Sequence, residues 1–260
     1  MILVFILLGL VAGILINIGA DSLPTEHRLK PPVCRYCQQP RSPWAWSGMI
    51  AYLTRHHRCL SCGAPISLRH VVVELITILL FVFSWLRGGE TPTGEQASVL
   101  LNILYGIVFI LVTVTDLEHR LIPHVIMVPA LTLATVGAFL TPHPRFPASG
   151  ILGGVLGLFS ALALYALGAW IARMMEKRHG EPVGGSAFGF GDVTLITFIG
   201  LVVGLHEIIP AIVIGIIAGG IVAAIIFVIR GFIKKKYNVF IAFIPYGPFL
   251  VLGGAIALYF

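Results

Sequence analysis

Residues 97–140 read ASVLLNILYGIVFILVTVTDLEHRLIPHVIMVPALTLATVGAFL, two apolar runs joined by a short polar turn. Each run has about the 20 residues that an α-helix needs to cross roughly 30 Å of hydrocarbon. The turn opens with Asp116 and leads through Ile122 and Pro123 into the second run. Because a carboxylate is costly at the end of a membrane helix, Asp116 is a candidate functional residue.

The composition of the whole chain agrees with this hairpin. Of the 260 residues, 58% are hydrophobic and 11% are charged, and the mean hydropathy is +0.98. Soluble domains have about 25% charged residues, so the composition excludes a soluble globule and predicts an all-α polytopic membrane protein. We predict eight transmembrane helices, at residues 2–20, 69–86, 97–115, 122–140, 150–173, 192–209, 211–229 and 239–259.

The basic residues predict the orientation of these helices. All but Arg87 and Arg145 of the 17 lysines and arginines lie in segments 21–69, 116–121, 173–191 and 230–238. Since basic loops stay in the cytoplasm, we expect both termini outside and both candidate aspartates on the cytoplasmic side. This bias, with attraction to anionic lipid, accounts for the net charge of +6, so the bilayer is an expected partner and nucleic acid is not.

The predicted cytoplasmic segment 21–68 contains all four cysteines, in the pairs Cys34/Cys37 and Cys59/Cys62. Two C-x-x-C pairs at this spacing are typical of a structural tetrahedral zinc site, which would stabilise a segment too small to fold alone. Two disulfides are the alternative, but a reducing cytoplasm disfavours them. We therefore predict three parts: helix 1 at 1–20, a zinc-binding domain at 21–68 and a helical core at 69–260.

A second aspartate, Asp192, closes the sequence GFGD at 189–192 before another apolar run. Two carboxylates that share a proton can hydrolyse a peptide bond, one deprotonating water and the other protonating the carbonyl oxygen. A helix N-terminus favours an ionised Asp192 as the base, with Asp116 as the protonated partner. Gly189 and Gly191 would let an extended substrate approach.

Each aspartate also has a structural explanation. Asp192 could be a helix cap, and Asp116 could be a boundary charge paired with Arg120. Glu74, in the second predicted helix, could likewise serve chemistry or pair with Arg69. The occurrence of Asp116 and Asp192 on one predicted face of the membrane favours a joint catalytic use.

Taken in order, these motifs resemble the type IV prepilin peptidases, bifunctional leader peptidases and N-methyltransferases similar to GxGD intramembrane aspartyl proteases. The resemblance covers nearly the whole chain. Its matching segments are 9–17, the paired C-x-x-C segment, 66–69 with Glu74, 116–123, GFGD at 189–192, and IPYGP at 244–248.

The resemblance implies an activity. Such enzymes remove the basic leader of type IV prepilins or type II secretion pseudopilins after a glycine at the cytoplasmic face of the inner membrane. Many then methylate the new N-terminus with S-adenosylmethionine. Asp116 and Asp192 take the catalytic positions, and the four cysteines take the zinc positions. Thr194 stands where many members carry lysine, which would change the field on Asp192.

Two other classes of protein compete with a peptidase. A proton-coupled transporter uses membrane carboxylates but places them near the midplane of the bilayer, whereas these aspartates lie at helix ends. A non-catalytic pilus or secretion assembly factor would use the cysteine segment to bind a partner. Loss of prepilin cleavage on substitution of either aspartate separates the peptidase from both.

Overall fold

The computed structural model of the chain describes residues 1–88, 96–140, 148–179, 189–233 and 245–260, and these residues are mainly helical. Two isolated antiparallel bridges, Val33 to Pro40 and Arg58 to Pro65, lie between the first two long helices. The same segment has a 3-10 turn at Pro43–Ala45. The α-helices are α1 (Ile2–Glu26), α2 (Gly48–Leu53), α3 (Leu68–Gly88), α4 (Gln96–His119), α5 (His124–Leu140), α6 (Ser149–His179), α7 (Phe190–Val203), α8 (Ile208–Ile233) and α9 (Gly247–Tyr259).

The all-helical prediction is confirmed, and a helix lies at each of the eight predicted spans. In the described part of the chain, five helices are long and apolar enough to cross a membrane: Ile2–Glu26, Leu68–Arg87, Ser98–His119, Ser149–Met174 and Ile208–Ile226. The other three, α5, α7 and α9, are apolar but have 10–17 residues. Residues 239–244 of the last predicted span lie outside the described residues, as does Arg145. The number of crossings stays a prediction.

Two predicted boundaries differ from the structure. The predicted span at 192–209 is interrupted, because α7 ends at Val203 and Gly204 adopts a φ of 85° before α8 begins at Ile208. A positive φ suits glycine, which has no Cβ to clash with the backbone. The first helix continues past residue 20 as far as Glu26, so Asp21 lies on α1.

The chain divides into two compact units, and the first comprises Met1–Thr115. In this unit α1 packs closely on α3, because Gly9 and Gly13 lie one turn apart on α1. A Cβ at Gly13 would lie 2.7 Å from the Cα of Glu74, and one at Gly9 would lie 2.7 Å from the Cα of Ile78. Small residues at this spacing let the backbones of membrane helices approach.

The second unit comprises Asp116–Phe260 and is built around α7. Four large side chains of α7 are 0–2% exposed: Leu195, Ile196, Phe198 and Ile199. Glycines again set the helix contacts, since a Cβ at Gly153 on α6 would meet the carbonyl oxygen of Gly200 on α7. The central helix that carries Asp192 is therefore held by neighbours on several sides.

Large apolar side chains are also exposed along the long helices. On α1 the side chains of Leu3, Leu7, Val11 and Leu15 are 49% exposed or more. A soluble protein rarely leaves a continuous apolar strip uncovered, whereas a helix that faces lipid requires one. The exposed surface therefore agrees with the apolar composition.

Candidate active site and metal centre

Asp116 lies in the last turn of α4, and its side chain is 6% exposed. Its Oδ2 accepts a hydrogen bond of 2.9 Å from the backbone N–H of Gly247, the first residue of α9. A Cβ on residue 247 would lie 2.5 Å from that oxygen. Glycine at 247 therefore permits a helix N-terminus to contact the carboxylate, a favourable place for negative charge.

Asp192 lies in the first turn of α7 and is 9% exposed. Its Oδ2 accepts a hydrogen bond of 2.8 Å from the backbone N–H of Gly189, the residue that precedes the helix. The capping role considered for Asp192 is thus real, and it fixes the side chain. Thr194 donates its hydroxyl to the carbonyl oxygen of Gly191 at 2.8 Å.

The fold brings the two aspartates near each other within the second unit. The charge of Asp116 acts on the Asp192 carboxyl group, so the two lie within electrostatic reach. Their flanking segments also touch, because a Cβ at Gly191 would lie 2.8 Å from the Cβ of Ile122. The absence of a side chain at Gly191 thus allows close packing against Ile122. The sequence had instead predicted that this glycine lets a substrate approach.

In the described part of the chain, one oxygen of each carboxylate accepts no hydrogen bond from the protein. Among the described residues, hydrogen bonds to these side chains reach only Oδ2 of Asp116 and Oδ2 of Asp192. The ion pair considered between Asp116 and Arg120 is not formed; instead the backbone N–H of Arg120 donates to the carbonyl oxygen of Asp116 at 2.9 Å. The site therefore offers two anchored carboxyl groups, and within the described residues the second oxygen of each accepts no hydrogen bond.

Glu74 has a different environment in the first unit. Its side chain is fully buried and accepts hydrogen bonds from the backbone N–H of Gly48 at 2.7 Å, the N–H of Met49 at 2.9 Å and the hydroxyl of Ser47 at 2.7 Å. It thereby caps the N-terminus of α2. Arg69, its expected partner, donates to Asp21 at 2.9 Å. The amide of Asn17 on α1 lies 3.5 Å from Glu74.

The four cysteines form the metal-type cluster that their spacing predicts. Their sulfur atoms all lie within 4.8 Å of one another, with Cys34 and Cys62 at 3.7 Å and Cys37 and Cys59 at 3.6 Å. Four thiolates at about 2.3 Å from a tetrahedral zinc ion lie roughly 3.8 Å apart, so the cluster fits this metal. The sulfurs are free thiols, and their separations are far above the ~2.05 Å of a disulfide.

Two similar loops hold the sulfur atoms. In the first, Cys34 donates its N–H to Gln39 and accepts from the N–H of Gln38; in the second, Cys59 makes the equivalent bonds with Ala64 and Gly63, all at 2.9 Å. Gln38 and Gly63 both have positive φ, of 58° and 70°. The histidines considered as further ligands, His56, His57 and His70, are outside the cluster of possible ligands among the described residues.

The pKa values of the cysteine thiols explain why the cluster favours a bound cation. Backbone N–H groups of Cys62 and Ser61 lower the pKa of the Cys59 thiol to about 6. At Cys62 the backbone of Ala64 acts in the same direction, but some loss of hydration and the neighbouring sulfurs together raise the pKa to about 12. Four adjacent thiols therefore do not all ionise by themselves, and a bound metal ion would hold all four as thiolates.

Sequence reasoning did not find every residue of these sites. Gly247 was noted only within a motif, although Pro248 in the first turn of α9 marks a helix start there. The contacts of Glu74 were also missed, because its donors lie 25–27 residues away in a short irregular segment. Neither feature produces a periodic pattern in the sequence.

Comparison with models of protein families identifies the family of this chain. A model described as the type IV leader peptidase family matches residues 103–224, which include both aspartates. A model of the bacterial peptidase A24 N-terminal domain matches residues 7–87, which include Glu74 and the four cysteines. The chain belongs to the type IV leader peptidase family. The apolar helices of the chain and this family both indicate an inner-membrane protein.

Individual relatives align with most of the chain. A prepilin leader peptidase/N-methyltransferase from Pseudomonas aeruginosa is 25% identical over 97% of this chain and 88% of its own length. One from Bacillus subtilis is 25% identical over 99% of this chain and 93% of its own. A type 4 prepilin-like proteins leader peptide-processing enzyme from Escherichia coli is 28% identical, covering 92% and 76%. No solved structure matches the chain.

Proposed function

We propose that this protein is an aspartyl endopeptidase that removes the basic leader of type IV prepilins or type II secretion pseudopilins, with Asp116 and Asp192 as the catalytic pair. The observation that carries this proposal is the pair itself: two buried carboxyl groups, each fixed by one backbone N–H. Relatives that align over nearly the whole chain are named prepilin leader peptidases, which supports the substrate class.

The proposed reaction is hydrolysis by a shared-proton pair. One ionised aspartate accepts a proton from water as the water oxygen attacks the carbonyl carbon, and the other donates its proton to the carbonyl oxygen. Collapse of the tetrahedral intermediate breaks the C–N bond, and the leaving amine takes a proton from the pair. Both carboxyl groups contact a helix N-terminus, so we assign the proton to the pair rather than to one residue.

The substrate chemistry suits such a site. A prepilin has a positive leader followed by an apolar helix, so its scissile bond, which we place after a glycine, would lie at the cytoplasmic boundary of the bilayer. The predicted topology of eight crossings, with both termini outside, puts both aspartates at that boundary. The basic loops that support this topology include segments 21–69 and 116–121.

The four-cysteine cluster is proposed to hold a structural zinc ion. Cys34, Cys37, Cys59 and Cys62 would supply all four ligands and leave no position for a water nucleophile. Zinc would thus stabilise the segment between α1 and α3 and take no part in peptide hydrolysis. The sulfur distances of 3.6 and 3.7 Å support this assignment.

N-methylation of the new N-terminus is proposed as a second activity. Its support is the name of the relatives, N-methyltransferase. S-adenosylmethionine would supply the methyl group when bound, and the sequence has no glycine-rich nucleotide loop after a strand to locate it. The proposed order is cleavage first, because only cleavage creates the amine to be methylated.

Co-expression with a prepilin tests the peptidase proposal. Intact mass of the prepilin reports leader removal, and a further 14 Da reports methylation. We expect the wild type and Glu118→Gln, a matched change of an exposed carboxylate two residues from Asp116, to remove the leader. Asp116→Asn and Asp192→Asn should each abolish removal. Persistent cleavage by either asparagine variant would refute the catalytic pair.

A further inference from the structure

The segment between α1 and α3 contains a cavity of about 300 Å³ that has no part in the proposed reaction. Residues of both cysteine loops line it, together with His70 in the first turn of α3. Three arginines line it: Arg35, Arg41 and Arg58. Among the described lining residues none is a carboxylate, and Cys34 and Cys59 are the lining residues that can add negative charge.

Asp21 on α1 is the carboxylate that faces this cluster. It accepts from Arg69 at 2.9 Å and from Arg35 at 3.1 Å, and the Nε2 of His70 lies 3.3 Å away. One carboxylate is thus shared by two guanidinium groups. Asp21 has a single negative charge, which also acts on Arg41, so it balances only part of the positive charge of these arginines.

Arg41 and Arg58 have no carboxylate partner among the described residues. The Nη1 of Arg41 contacts the Nε2 of His70 at 3.2 Å. Arg41 is partly buried, and loss of hydration lowers the pKa of its guanidinium. Arg58 is exposed and precedes Cys59. A partly dehydrated cation without a carboxylate partner is stabilised when an anion enters beside it.

A zinc ion bound by the cysteine cluster would lower the net positive charge around the cavity but would not make it negative. A zinc ion with four thiolates has a charge of −2, and Asp21 adds −1. Arg35, Arg41, Arg58 and Arg69 together contribute four positive charges. One positive charge therefore remains even with metal bound, which suits a singly charged ligand such as a phosphodiester.

We propose that this arginine-lined cavity binds a phosphate-bearing anion, in the manner of an anionic phospholipid headgroup. The planar fork of arginine donates two parallel hydrogen bonds to phosphate oxygens. The cavity lies beside the C-terminal end of α1 and the first turn of α3, two helices apolar enough to span a membrane. Basic pockets at such helix ends recognise anionic headgroups. Its volume is within the range of small-ligand sites.

Native mass spectrometry of the full-length protein in neutral detergent tests the proposal. The probes are phosphatidylglycerol, phosphatidylcholine and inorganic phosphate, and the intact mass also reports zinc. We expect wild type to retain phosphatidylglycerol in preference to phosphatidylcholine. The double variant Arg41→Gln/Arg58→Gln should bind it about 20- to 30-fold more weakly, at roughly fivefold per arginine. Arg55→Gln is the matched control, an exposed arginine of the same segment that does not line the cavity.

The outcomes are separable. Displacement of phosphatidylglycerol by inorganic phosphate would identify a soluble phosphate as an equivalent ligand, which still supports an anion site. Equal binding of both lipids, or wild-type affinity in the double variant, would overturn the proposal. If the double variant loses zinc, Arg58→Gln alone decides, with a fivefold loss expected and an unchanged affinity contradicting the site. Since the readout is lipid mass, its failure says nothing against peptidase activity.

Discussion

Substitution of Gly247 by alanine tests whether the helix N-terminus at Asp116 matters for catalysis. The new Cβ would lie 2.5 Å from Oδ2 and 3.0 Å from Cγ of Asp116. This is about 1 Å closer than the roughly 3.5 Å optimum of non-bonded atoms, so the carboxyl group must move by a similar amount. Alanine suits a helical backbone, and the change therefore acts on the carboxylate and leaves α9 intact.

The expected loss of activity follows from this displacement. Misplacement of a catalytic group by 1 Å costs about 100-fold in rate, equivalent to roughly 2.7 kcal/mol. Loss of the hydrogen bond from Gly247 separately lowers the folding stability, by about 1.5–3 kcal/mol. We therefore expect Gly247→Ala to reduce prepilin cleavage by about 100-fold in a protein that still folds and keeps its zinc, with a somewhat lower thermal unfolding temperature.

The assay is a time course of leader removal by purified protein, with intact mass as the readout. Gly220→Ala is the matched control, because a Cβ at Gly220 on α8 meets nothing within 4 Å. The control should cleave at the wild-type rate. Cleavage by Gly247→Ala within about threefold of wild type, in a folded protein, would show that the contact between Asp116 and α9 has no catalytic role.

Three further predictions concern stability and the metal. Glu74→Ala should lower the thermal unfolding temperature and expose the cysteine segment to protease, since each buried N–H that loses its acceptor costs about 1–3 kcal/mol; an unchanged melting curve would contradict the capping role. Gly153→Ala should destabilise by about 1–3 kcal/mol through overpacking against Gly200, whereas Gly220→Ala should not, and equal melting temperatures would argue against the close helix contact. Cys62→Ser should reduce bound zinc, measured by elemental analysis, and full zinc content in this variant would disprove four-sulfur ligation. The wild-type protein should release zinc on acidification, because protons compete with the metal for the thiolates.

The sequence allowed the helices to be located but not all of their ends. Apolar length is a strong signal, so each predicted span coincides with a helix. The break at Gly204 was missed because the residues on both sides are apolar, and hydropathy does not detect a change of backbone direction. Gly204 shows its role only through its φ of 85°, a property of three-dimensional structure.

The sites were predictable to different degrees. The cysteine cluster followed from two C-x-x-C pairs together with the predicted cytoplasmic location, which disfavoured two disulfides. The proximity of Asp116 and Asp192 rested on their shared membrane face and on family resemblance. The partners of their carboxylates were not predictable, since Gly247 lies 131 residues from Asp116. For Glu74 the sequence left open a chemical role or pairing with Arg69, and neither alternative included the backbone N–H groups of Gly48 and Met49 that it accepts from.

The shortness of α7 has a consequence for how water reaches Asp192. Its 14 residues rise about 21 Å, roughly 9 Å less than the hydrocarbon thickness of a bilayer. Because α7 is packed among other helices, lipid tails need not adjust to its length and no hydrophobic mismatch arises. In the predicted topology, the hydrocarbon depth that α7 does not cover would have to be filled by protein or water at the ends of this helix, and Asp192 lies in its first turn.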